Sequence, residues 1–219
     1  MDLGLAFLTL LHILIPVYWL GGDLGAFYGS TFMTDPKRSV GERMMALKIL
    51  NNIDMAPRTA LILAFPTGFA LTWAKGWLDV SGIAVLAAVA GSLAWLALAW
   101  VVHLQHGSGA VFKKLDLAIR YGVVAGLGIA GLSGIDGLVP MPFFIALKLC
   151  ILACCVALGL IVRRQLVPLF AAIRVMTSTG PTAESDAIIL AVNNSARISV
   201  LTIWALVLLA SFLGVLTPA

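Results

Sequence analysis

Six apolar runs, each near the roughly 20 residues that a helix needs to cross a hydrocarbon core, dominate the 219-residue chain. They lie near 4–28, 57–76, 81–103, 119–138, 142–163 and 196–217. Lipid gives an open backbone no hydrogen-bond partner, so such runs form helices. The expected fold class is an all-α integral membrane protein: six transmembrane helices in an antiparallel bundle, one membrane domain over residues 1–219. A composition 61% hydrophobic and 11% charged, with mean hydropathy +1.06, agrees. The N-terminus lacks the positive start and cleavage site of a secretory signal, so the first run reads as a retained helix.

Basic residues set the orientation. The first, third and fifth connections hold Lys37, Arg38, Arg43, Lys48, Lys113, Lys114, Arg163, Arg164 and Arg174, whereas the second holds only Lys75 and the fourth none. By the positive-inside rule both termini lie outside. Topology accounts for the net charge of +4, which is therefore no nucleic-acid signature. The expected location is a bacterial inner membrane. The 29–56 connector, especially "KRSVGERMMALKIL", reads as an amphipathic interfacial helix, and the 165–195 connector as a surface turn between two partly apolar segments. "DMAPR" (54–58) and "DLAIR" (116–120) open the second and fourth spans as an internal echo.

Ionisable groups inside a bilayer need a reason. The candidates are His12, Asp23, Arg58, Arg120, Lys148 and Arg197, with His103 and His106 at an inner helix end. At about 1.5 Å per residue, His12 lies roughly 6 Å outward of the midplane, Lys148 about 7 Å outward, and His103 about 16 Å inward. His12 and His103, about 20 Å apart along the membrane normal, would serve two haems rather than one iron. Pro16 removes the N–H that would bond the carbonyl of residue 12, predicting a bend beside the imidazole. His12, Trp19 and Asp23 share a stripe facing the bundle. Imidazole is a haem axial ligand and a metal ligand, so His12, His103 and His106 are the candidate metal ligands. Arg58, Arg120 and Arg197 lie near the depth of Asp23 and are expected to pair with it or, one or more of them, to hold haem propionates. Ala118, Gly122, Gly126, Ala130 and Gly134 form a small-residue stripe suited to close helix packing or to a flat cofactor.

The first three spans resemble the HemJ family of membrane haem proteins, associated with protoporphyrinogen oxidation. His12, Trp19 and Gly22 match its first-helix pattern, "ERMMALKILNNIDMAP" its connector into a proline-opened helix, and "WVVHLQHG" its histidine-bearing third-helix end. The family's third-helix lysine and the Asn-Glu-x-Pro element after it have no counterpart, which leaves a HemJ-like oxidoreductase activity open. The fourth and fifth spans are similar to the CopD domain of copper-resistance proteins, through Arg120, "GLGIAGLSG", "ALKLCILACC" with Lys148, and Arg163–Arg164. Together with the intramembrane charges, these resemblances make His12, Lys148, Trp19, Arg58 and Arg120 the expected cofactor-binding residues.

Three functions are therefore expected to compete. One is a b-type haem protein with heme b, one or two per chain, acting in electron transfer or in oxidation of a membrane-associated substrate. Lys148 would then be second ligand, propionate partner or proton-handling group, and the partners a membrane or periplasmic redox protein or a second copy in a homo-oligomer. Another is CopD-like copper transport through Cys150, Cys154 and Met141, since Cu(I) prefers sulfur ligands. The third is a cofactor-free subunit of a larger complex. Phosphate-binding glycine loops, His-Glu-x-x-His and Ser-His-Asp sets are absent from the sequence, which disfavours hydrolysis and nucleotide-driven transport.

Overall fold

The computed structural model describes residues 2–104 and 109–216 and is helical throughout its regular structure. In chain order the helices are α1 Leu3–Thr34, α2 Val40–Ile53, α3 Met55–Ala74, α4 Gly82–Leu104, α5 Ala110–Ile135, α6 Phe143–Gln165, α7 Val167–Ser178 and α8 Ala183–Val215. Among the described residues α1, α4, α5, the α6–α7 stretch and α8 are long and apolar enough to cross a membrane. With 20 residues α3 matches a span in length. Its two prolines and its threonines Thr59, Thr67 and Thr72 make it less apolar, and it packs between α1 and α4.

The exterior is turned inside out. Leu10, Ile13, Leu14 and Val17 of α1 and Leu201, Leu208 and Phe212 of α8 are exposed. Apolar faces of this extent suit lipid rather than water. Polar groups of the helix interiors bond back to their own turns, as when Thr9 and Thr202 donate to Leu5 and Ile198 carbonyls. The chain is an all-α membrane bundle.

Two of its helices start earlier than the apolar runs suggest. The run near 119 begins as helix at Ala110, and the run near 196 begins at Ala183, opened by a Thr182–Ser185 capping box. The early turns are amphipathic, so hydropathy alone does not register them. Those of α8 belong to a separate inner layer in which α2 and α7 pack on the C-terminal end of α1 and the N-terminal end of α8 through Met33, Ala46, Leu169, Ile173, Met176 and Ile189. As expected, "KRSVGERMMALKIL" is largely helix, capped by Ser39 and Glu42. Arg43, only 1% exposed, locks the layer. Its Nε donates to the Met33 carbonyl at 2.8 Å, and its Nη1 pairs with Asp186 at 2.7 Å.

The membrane core joins α1, α3, α6 and α8 around Trp19, Leu61, Cys155, Val156 and Ile203. Glycines set two of its seams. A Cβ at Gly22 would lie 2.6 Å from Ala56 Cβ, so α1 reaches α3 only because residue 22 has no side chain. A Cβ at Gly131 would lie 2.5 Å from Cys150 Sγ and 2.8 Å from the Ala146 carbonyl oxygen, so α5 and α6 approach closely at this seam.

Candidate functional site

Between α1, α3, α4, α5, α6 and α8 lies a cavity of about 1180 Å³, larger than most small-molecule pockets. Its existence follows from small residues that face one another without touching. Ala87, Ala88, Gly91 and Ser92 of α4 line one side and Gly126 and Ala130 of α5 another. A Cβ added at Gly91 or at Gly126 would meet nothing within 4 Å. The predicted α5 stripe is thus divided: Gly134 closes onto Met141 and Ala146, whereas Gly126 and Ala130 open into the cavity.

His12 reaches this cavity from α1. Its Nδ1 lies 2.9 Å from Thr67 Oγ1, and the Thr67 hydroxyl donates at 2.7 Å to the Leu63 carbonyl. With that hydroxyl proton committed, Thr67 accepts from His12, so Nδ1 carries the imidazole proton and Nε2 keeps a lone pair. Gly68 makes room for the ring, since a Cβ there would lie 3.0 Å from His12 Cε1. Metal-ligating histidines are oriented by an acceptor for the proton of the other ring nitrogen, and Thr67 supplies an acceptor here. Pro16 lies inside a helix that runs unbroken from Leu3 to Thr34, and it lines the cavity one turn from His12. Trp19 is 5% exposed and lines the same cavity while anchoring the core.

The cavity also takes in cationic side chains. Lys148 of α6 enters it, with Nζ 5.9 Å from the Phe144 ring centroid and so near α8 that a Cβ at Gly214 would lie 2.7 Å from the ammonium. Lys75, which the sequence marked only as the one basic residue of the second connection, lines the cavity as well. Its Nζ lies 4.5 Å from the centroid of Trp77, whose ring meets Phe144 edge-on at 5.2 Å. A Schellman ending of α3 sets this up: Gly76, at φ +68°, donates to the Trp73 carbonyl, and Trp77 donates to that of Thr72. A left-handed residue is needed at that step, and glycine adopts it without strain.

The remaining candidates lie elsewhere. Arg58 pairs with Asp54, and Arg120 Nε with Asp116 at 3.0 Å, so both echo motifs close the same i,i+4 ion pair. Asp116 also accepts from Arg163 at 3.3 Å and from the Trp95 indole at 3.0 Å. Arg58 and Arg120 do not line the cavity; Asp54 holds Arg58 at the start of α3, and Asp116 holds Arg120 within α5. Asp23 does not neutralise arginines as expected but accepts from the Trp204 indole at 3.1 Å, while Arg197 stacks on Phe27 at 4.1 Å. His103 packs edge-on to Trp100 and does not line the His12 cavity. His106 lies outside the described residues.

Of the cysteines, Cys150 sits in the α5–α6 seam, Cys154 is exposed, and Cys155 is buried against the cavity. Among the described residues no three His, Cys, Asp or Glu side chains cluster closely enough to hold a metal ion. Comparison with protein-family models, curated proteins and solved structures found no match.

Proposed function

We propose that the chain is a b-type haem-binding protein of the bacterial inner membrane, with His12 as the iron ligand, acting in electron transfer or in oxidation of a membrane-associated substrate. The observation that carries this reading is the pairing of an oriented imidazole with a large apolar cavity: Thr67 holds Nδ1, leaving Nε2 as the ligating atom. The residues fit a flat, mostly apolar group. Gly91 and Gly126 leave space where side chains would stand, and the walls are dominated by Leu, Ile, Phe, Trp and Ala.

A bound haem would supply one-electron chemistry, with its potential set by the axial ligand, hydrogen bonding and burial. The chain's own residues contribute three things. Thr67 keeps the proton of His12 on Nδ1, which strengthens the ligating nitrogen and fixes the ring plane. Trp19, Phe65, Phe69 and Ile145 give the site apolar walls. Lys75 and Lys148 bring positive charge to one end of an otherwise apolar volume.

The test is the reduced-minus-oxidised visible spectrum of the protein purified in mild detergent, with haem quantified per chain as the pyridine haemochrome. Sharp b-type bands at one haem per chain are expected. A second haem would point to the helix end carrying His103. A flat spectrum from cells supplied with haem refutes the reading.

A further inference from the structure

Lys75 and Lys148 are the lysine and arginine side chains that line the cavity, and neither has an ion-pair partner among the described residues. Every other cationic group argued for the site is already matched: Arg58 to Asp54, Arg120 and Arg163 to Asp116. The two ammoniums are tied to one aromatic pair, Lys75 over Trp77, Lys148 over Phe144, and the rings in edge contact. Two like charges held at one end of an apolar cavity repel each other and lose hydration, so the arrangement is complementary to a ligand with two acidic groups on an apolar body.

We propose that Lys75 and Lys148 form a two-cation clamp for the paired carboxylates at one edge of the porphyrin. This rests on the haem reading and deepens it by fixing the direction in which the group enters. The acidic edge faces the end of the bundle that carries Gly76 and Phe143, and the apolar edge faces Trp95 and Ile119. That is the reverse of a propionate site at Arg58 and Arg120. The clamp also gives a role to the Schellman turn, whose left-handed Gly76 places both Lys75 and Trp77.

Protein freed of haem in detergent is titrated with haem and with its dimethyl ester, which has the same ring and iron but no carboxylates. Wild type should prefer the free acid by about tenfold or more, as expected for lost charge-assisted contacts. Lys75→Gln and Lys148→Gln should each narrow that preference, and the double variant should abolish it with affinity for the ester unchanged, which also reports that the variant is folded. Equal binding of acid and ester by wild type, or a preference that survives in the double variant, overturns the clamp while leaving the haem reading intact. Wild-type protein that binds neither compound overturns both.

Discussion

Where α1, α2, α7 and α8 meet, apolar side chains interlock around a fully buried arginine; where α4 faces α5, Gly91 and Gly126 look into open space. The first region resembles the interior of a soluble protein, held by burial and by an ion pair joining residues 143 positions apart. The second holds its shape because neighbouring seams are tight, so space can persist between two helices that are each fastened elsewhere. Within α5 the contrast falls on one helix: Gly131 and Gly134 are pressed against α6, while Gly126 and Ala130 line the cavity. A small residue brings helices together only when the facing helix can approach. Opposite Gly126 the facing positions of α4 are themselves small.

This contrast can be broken first at its most interlocked point. Asp186→Ala leaves the Arg43 guanidinium buried without its carboxylate and should cost about 3 kcal/mol, the lower end for a broken buried pair because Asp186 is partly exposed. Thermal unfolding in detergent would show it, with haem per folded chain unchanged. A loss of haem without loss of stability would mean that the two regions are not separable.

A matched pair on α5 sharpens the comparison. Gly131→Leu drives a side chain into the backbone of α6 and should cost about 1–3 kcal/mol by overpacking. Gly126→Leu meets open space and should leave the melting temperature nearly unchanged while displacing haem. If both variants destabilise equally, the cavity is not as open as the structure has it.

The smallest effect is in pH. The Ser39 backbone N–H, joined by its hydroxyl, holds the Glu42 carboxyl below its ordinary value. A depressed carboxyl stabilises the fold above its unfolded pKa, and that contribution is lost as pH falls through the lower folded value. The inner layer should therefore loosen slightly at acidic pH, and Glu42→Gln should remove that component from a pH series of melting curves.

The spans were legible because lipid demands apolar helices, and His12 because an imidazole inside such a helix needs a reason. The early turns of α8 and the role of Arg43 were not: their stability comes from partners on α2 and α7, which one-dimensional hydropathy does not register. The cavity was hidden for a related reason. It arises from small residues on separate helices, and only their relative placement distinguishes Gly126 from Gly131. Asp23 was readable as a buried carboxylate, but its indole partner, Trp204, stands 181 positions away.

The most direct measurement compares haem content and melting temperature in wild type, His12→Ala and Thr67→Val. The account predicts that His12→Ala loses most of its haem, whereas Thr67→Val keeps haem with a shifted midpoint potential and bandshape. Both variants should melt close to haem-free wild type. A full haem complement in folded His12→Ala would contradict the central assignment.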